Sequence, residues 1–275
     1  MDYLEGLSLG KDVSYIDSYS PELLMPVARH LTRENLGLDP KNLPFKGFDV
    51  WNAYEISWLN IKGLPQVAIG VFSFSCDSAA IIESKSFKLY LNSFNQTTFS
   101  SVEEVARRMQ QDLSAACGGS ASVSLYLPKD WQVLAVEPAP DAQCIDEQEL
   151  AIESYEPASE CLSIEGSEPV EELLCSHLLR SLCPVTGQPD WASVYIRYKG
   201  AAINRAGLLR YIVGFRLLQE FHEQCVERIY RDVMSACQPE SLEVFARYVR
   251  RGGLDINPYR ASADIVFQNQ RLVRQ

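Results

Sequence analysis

The chain has 275 residues, of which 47% are hydrophobic and 22% charged, so it can bury a large core, and wholesale disorder is excluded. At roughly 150 residues per domain the length points to about two domains or one large one. Net charge is −11, but residues 137–172 hold 12 acidic side chains and no Lys or Arg, leaving about +1 for the rest; the low pI describes one segment, and a broad basic surface for duplex binding is missing.

The start, MDYLEGLSLGKD, has acidic residues and no apolar h-region, so it does not read as a secretory signal. No apolar run approaches the ~20 residues that span a bilayer. LPQVAIGVFSF (64–74) has the β-branched and aromatic content of a strand, and IIESKSFKLYL (81–91) reads as a second one. SSVEEVARRMQQDLSAAC (100–117) places Val102, Val105, Met109 and Leu113 at helical spacing behind a Ser-x-x-Glu start. Gly118-Gly119 ends that helix, and ASVSLYL (121–127) alternates as a strand.

The acidic stretch 137–172, with Pro138, Pro140, Pro157 and Pro169, is expected to be an extended connector, although CIDEQELAIESYE has the makings of an edge strand. It divides the chain into residues 1–136, the connector, and residues 173–275.

Beyond it, WASVYIRYKG (191–200) reads as a strand, HEQCVERIYRDVMSAC (222–237) as a helix and SLEVFARYVR (241–250) as a strand. Sliding the chain by 120 residues aligns Glu103 with Glu223, Arg108 with Arg228, Asp112 with Asp232 and Ala116-Cys117 with Ala236-Cys237. Those matches, with the shared helix-then-strand order, read as an internal duplication. The expected fold is α+β, two halves each with an antiparallel sheet backed by helices.

The eight cysteines form no CxxC pair and read as reduced thiols of a cytoplasmic protein. Neither common nucleotide-binding glycine loop is present, nor GxSxG, and the Cys and His residues show no zinc-ligand spacing, so no metal is expected.

Four short segments carry chemistry. In LCPVTGQPDW (182–191), Pro184, Gly187 and Pro189 forbid regular structure and put Cys183 on a constrained loop, with Asp190 seven residues on. A loop thiol with a carboxylate brought round to it fits covalent catalysis; the bland reading is an inert buried thiol and a turn residue. ESKSFKLY (83–90) offers an acceptor and two cations, either on a strand or, with a helical start at Ser84, with Lys85 and Lys88 at i, i+3; an edge strand with solvated charges is the alternative. FHEQ (221–224) opens a helix, where Glu223 suits the macrodipole and a purine-like N–H edge, or is a plain helix-start residue beside a packing His222. YVRRGGLDINP (248–258) sets two arginines before a glycine pair, which fits a phosphate or an ordinary strand-ending turn.

Together ESKSFKLYLNSFNQT (83–97), CPVTGQPDW (183–191), FHEQCVERI (221–229) and RYVRRGGLDINP (247–258) resemble the long form of the NADPH-dependent 7-cyano-7-deazaguanine reductases, and the likeness runs from LSLGKDVSYIDSYSPELL near the start to RLVRQ at the end. The resemblance implies two tandem tunnelling-fold (T-fold) halves, akin to GTP cyclohydrolase I, in a homodimer. It implies reduction of a nitrile to an aminomethyl group with two NADPH and no metal, in the pathway to queuosine in tRNA. By the same resemblance Cys183 is the nucleophile that forms a thioimide and Asp190 the proton donor. Ile82, Glu83, Ser84, His222 and Glu223 bind the deazaguanine; Ser84, Lys85, Arg251 and Gly252 bind NADPH. Two other readings remain in view: a purine- or pterin-handling hydrolase on the same fold, and an RNA-associated scaffold using the Arg-rich second half. No direct nucleic-acid or membrane partner is expected.

Overall fold

The structure is a computed structural model that describes residues 15–263 and 268–275. The LSLGKDVS portion of the family likeness, residues 7–14, lies outside the described residues. The chain divides into two compact units. The first comprises residues 1–42, 49–135 and 251–255; the second comprises 43–48, 136–250 and 256–275.

In the first unit, β1 (Pro26–Ala28) precedes the short helix α1 (Arg29–Asn35) and pairs antiparallel with β4 (Ala80–Ile82). Strands β2 (Lys46–Leu59) and β3 (Pro65–Ser75) are joined through Asn60–Leu64, and β5 (Ala121–Tyr126) lies antiparallel on β3, giving the order β5–β3–β2. β3 alternates in burial and β2 is buried continuously over 49–53, and Trp51, Phe72 and Phe74 are among the buried side chains; the helices of this unit are α2 (Ser84–Asn92) and α3 (Val102–Cys117). Phe87 of α2 packs edge-on against both Trp51 and Phe72. Under α1, the Arg29 guanidinium donates to Asp49 at 2.5 Å, both side chains being buried.

The expected strand over 81–91 is corrected: only Ala80–Ile82 is strand, and the alternative helical start at Ser84 holds, with Ser84–Asn92 helical. Phe87, Tyr90 and Leu91 share one helical face and are buried, while the Glu83 carboxylate accepts from the Lys85 and Ser86 amides at 2.8 and 2.7 Å and caps the helix. α3 runs as expected, with Ser101 capping its start and Gly118, at φ 60°, ending it in the left-handed region.

In the second unit β7 (Ile164–Ser176) and β9 (Pro189–Ile203) pair antiparallel, and β10 (Ser241–Tyr248) pairs antiparallel with β9 and with β11 (Leu254–Ala261). The two-residue β6 (Gln143–Cys144) runs parallel to β7, completing the order β11–β10–β9–β7–β6, and β8 (Arg180–Leu182) pairs with the start of β9. Helices α4 (Arg205–Val213) and α5 (His222–Cys237) connect β9 to β10.

The end of the acidic segment is therefore part of a sheet: residues 164–172 open β7. Glu165, Glu168 and Glu171 remain exposed while the half-buried Glu172 pairs with Arg205, and Pro169 sits at a register shift between Glu165 and Pro169, where a missing N–H breaks no ladder bond.

The two units repeat one plan: a long strand pair, a nine-residue helix, a sixteen-residue helix and a return strand, β2-β3-α2-α3-β5 in one and β7-β9-α4-α5-β10 in the other. α3 and α5 occupy positions offset by 120, as the sliding alignment required. Each short helix is tied to its long one by the same bond, Tyr90 Oη to Asp112 Oδ2 at 2.7 Å and Tyr211 Oη to Asp232 Oδ2 at 2.6 Å. Aspartates that first aligned as letters thus hold equivalent structural bonds. No helix among the described residues is long and apolar enough to cross a membrane.

Candidate functional site

The second unit builds one centre around the β8–β9 hairpin. Ser181 pairs with Asp190 and Leu182 with Pro189, after which Cys183 donates its amide to the Gln188 carbonyl at 2.8 Å and accepts from the Gly187 amide at 2.9 Å. Gly187 takes φ 67°, a conformation L side chains rarely adopt, which explains a glycine there. The expected constrained loop is thus a closed hairpin turn that fixes Cys183 and Asp190 on one short element. Cys183 is 5% and Asp190 7% exposed, so neither is an open surface group.

The segment before α5 docks on this hairpin. The Leu182 amide donates to the Leu218 carbonyl at 2.8 Å, and the Glu220 amide to the Leu182 carbonyl at 3.2 Å. This brings the first turn of α5 to Asp190, with His222 Nε2 at 3.3 Å from Asp190 Oδ2. The imidazole lies flat on Tyr248, centroids 3.8 Å apart and planes 18° from parallel. Its Nδ1 is buried with no hydrogen-bond partner among the described residues, a costly arrangement for a polar atom and one a bound ligand would relieve.

Glu223 is 4% exposed in that same first turn, where the helix dipole favours its charge. Tyr248, fully buried, has its phenol pushed well above its usual range, first by burial and then by the neighbouring Cys225, Asp190 and Glu223. Cys225 is pushed up too, burial again dominating. Beneath them Glu220 is lifted by burial, opposed by the Arg228 guanidinium it pairs with. The centre therefore offers a thiol, two buried carboxylates and an imidazole beside neutral phenol and thiol groups, in surroundings dry enough to strengthen every polar contact.

The first unit holds the other expected residues. Ile82 ends β4 and Glu83 follows it; both are buried, at 2% and 1% exposure. Glu83 has a structural task the sequence did not reveal, since both its oxygens accept α2 amides, yet a carboxylate has about four acceptor sites, so capacity for a ligand's N–H groups remains. Ser84 and Lys85 form the first turn of α2.

Gly252 and Gly253 take φ 59° and 77°, and Lys88 Nζ donates to the Arg251 carbonyl at 2.8 Å. Lys88, Gly252 and Gly253, with Ala53, Glu55 and Leu91, border a cavity of about 80 Å³. A Cβ on Gly252 would come within 2.5 Å of Lys88 Nζ, and one on Gly253 within 2.6 Å of Glu55 Cδ. The glycine pair is therefore required by its backbone angles, while the side-chain ends that a Cβ would meet can shift. The cavity carries the Lys88 ammonium and the Glu55 carboxylate, and neither Lys85 nor Arg251, the cations expected to hold the cofactor, borders it.

Sequence reasoning missed Tyr248, which lay within a quoted motif but gained its role only through β9–β10 pairing, and Cys225, whose spacing from Cys183 carries no signal. It also missed a cluster of Cys144, Cys175 and His177, whose ligand atoms all lie within 4.8 Å of one another.

With this geometry in hand, the comparisons are specific. Residues 15–125 match the family described as nitrile reductase, 7-cyano-7-deazaguanine-reductase N-term, and residues 189–265 match the QueF-like protein family. An NADPH-dependent 7-cyano-7-deazaguanine reductase of Chromobacterium violaceum is 52% identical over 270 residues, 97% of this chain and 96% of that protein. The crystal structure of the archaeosine synthase QueF-Like in the apo form aligns with 37% of this chain and 100% of that one at 17% identity, but its TM-score of 0.32 is too low to carry an argument. The chain belongs to the 7-cyano-7-deazaguanine reductase family.

Proposed function

We propose that this chain reduces the nitrile of 7-cyano-7-deazaguanine to the aminomethyl group at the expense of two NADPH, in the route to queuosine, as a cytoplasmic homodimer. The observation that carries the reading is the 52% identity across nearly the whole length of a reductase so named. The hairpin that sets Cys183 and Asp190 together, with His222 beside the acid, supports the chemistry.

In this mechanism Cys183 Sγ bonds to the nitrile carbon, its proton leaves, and the nitrile nitrogen gains one, giving a thioimide. A free thiol is mostly protonated at neutral pH, so a neighbour must manage that proton, and Asp190 is the group for it. His222 holds Asp190 in position through the 3.3 Å contact. Bound NADPH would supply two hydrides in turn, each matched by one proton from the medium at the nitrogen, and between the two additions the Cys183 sulfur leaves as the thiol, so that the cysteine is regenerated. Glu83 and Glu223 accept the adjacent N–H groups of the guanine-type edge, with Ile82, Ser84 and His222 as the other substrate contacts. A site built on such bonds rejects analogues lacking them strongly, because its buried acceptors would be left unpaired. Ser84, Lys85, Arg251 and Gly252 hold the cofactor, and no metal takes part.

Incubation with the nitrile and NADPH, with both cofactor and amine quantified, tests this. Two cofactors oxidised per amine formed is the expected ratio; nitrile-independent oxidation, or none, contradicts it. Gly252→Ala is expected to raise the KM for NADPH roughly tenfold, about 1.4 kcal/mol, while leaving nitrile-dependent adduct formation intact. Its new Cβ meets Lys88 Nζ and its φ of 59° becomes strained. An unchanged KM would remove Gly252 from the cofactor site.

A further inference from the structure

The second unit contains a group of ligating side chains that nitrile reduction does not use. β6 runs parallel to β7 with Cys144 directly opposite Cys175, and His177 follows two residues later. One ligand atom from each of Cys144, Cys175 and His177 lies within 4.8 Å of the other two. We propose that these three side chains bind a thiophilic divalent cation of the zinc class, clamping the β6 edge of the sheet onto β7.

Two sulfurs and an imidazole are the donor set that favours such a cation over magnesium or calcium, which prefer oxygen. With metal–sulfur bonds of about 2.3 Å and metal–nitrogen bonds of about 2.0 Å, tetrahedral ligand atoms sit roughly 3.5–3.8 Å apart, so the group has to close by only about 1 Å. The strand pairing already sets the two cysteines side by side. The His177 amide donates to Asp146 Oδ2 at 2.8 Å, and its Nδ1 lies 2.8 Å from Ser193 Oγ, so both backbone and ring are oriented.

A second observation points to a ligand here. Tyr195 is 1% exposed, yet its hydroxyl has no hydrogen-bond partner among the described residues, and neither does the buried Oδ1 of Asp146. Tyr195 lies opposite Cys175 across β7 and β9, and Asp146 follows Cys144 by two residues. An ion would take both cysteines as thiolates, with release of their protons, and a thiolate gives the unpartnered Tyr195 hydroxyl an acceptor. Water completes the fourth position.

Cobalt(II) is the probe, because thiolate ligation gives it a charge-transfer absorption. The full chain, reduced and treated with chelator, is titrated with Co²⁺ and then Zn²⁺. One Co²⁺ per chain should give thiolate charge-transfer and tetrahedral bands, bleached by one Zn²⁺, and Zn²⁺ should raise the melting temperature. Cys144 is exposed, so Cys144→Ser should fold, lose those bands and lose the Zn²⁺-dependent melting shift. His177→Ala should weaken binding by roughly tenfold or more, whereas Cys161→Ser should change nothing. Absence of the bands in the reduced protein, or bands that survive both Cys144→Ser and His177→Ala, overturns the proposal. The site does not rest on the proposed reaction, and these readouts are independent of turnover.

Discussion

Cys183→Ala is expected to abolish nitrile-dependent NADPH oxidation, by at least about a thousandfold in kcat, with little change in stability. The side chain removed is small, and the turn that carries it is held by backbone bonds from Cys183 to Gln188 and Gly187, which alanine keeps. What is lost is the only atom in the account that bonds to the nitrile carbon. Asp190→Asn should be nearly as damaging to turnover for a different reason. It keeps the hairpin but removes the proton donor and changes what His222 Nε2 faces at 3.3 Å. Steady-state rates of both variants, with melting curves beside them, separate chemistry from folding. Cys183→Ala with normal turnover would end the covalent mechanism even though family membership stood.

The largest expected loss of stability lies elsewhere, at Arg260. This β11 side chain is fully buried, with Nε and Nη2 donating to Glu227 Oε1 at 3.1 and 2.8 Å and Nη1 donating to the Phe48 and Tyr259 carbonyls. Truncation to alanine removes that charge from a carboxylate that is itself only 3% exposed and leaves carbonyls behind in a dry site. Breaking one side of such a pair costs about 3–5 kcal/mol, whereas replacing both partners by apolar groups of similar volume is often close to neutral. Arg260→Ala should therefore fall by about that amount in urea unfolding, and Arg260→Met with Glu227→Leu should recover most of it. A loss below about 1 kcal/mol for the single variant would mean that water reaches the pair.

These effects also mark what could be read from the chain in advance. Long amphipathic segments were legible: α3 and α5 follow from apolar spacing, and their 120-residue offset exposed the repeat because Asp112 and Asp232 perform the same tyrosine-binding task. Residues 84–92 left two readings open, because Phe87, Leu89 and Leu91 alternate like a strand while Phe87, Tyr90 and Leu91 also fit a helix. Glu83 decides between the two by capping, a role for which Ser, Thr, Asp and Asn are the usual signals. The acidic run 164–172 looked like a connector, since charge and proline oppose a central strand; β7 accommodates them by exposing Glu165, Glu168 and Glu171, pairing Glu172 with Arg205 and shifting register at Pro169.

At the candidate site, the hairpin joining Cys183 to Asp190 was readable as a proline- and glycine-constrained loop. The approach of His222 to Asp190 and its stacking on Tyr248 were not, because they depend on how α5 and β10 come back to β9. Cys144 and Cys175 illustrate the same limit: metal-ligand spacing in sequence is local, and a parallel strand pair brings together cysteines that no spacing rule connects.

Mass measurement of the intact protein after incubation with 7-cyano-7-deazaguanine, without NADPH, tests the central claim most directly. The predicted result is a gain of one substrate mass per chain, located on the peptide containing Cys183 and absent from Cys183→Ala. An unmodified mass in protein that turns over normally, or an adduct on another residue, would contradict it.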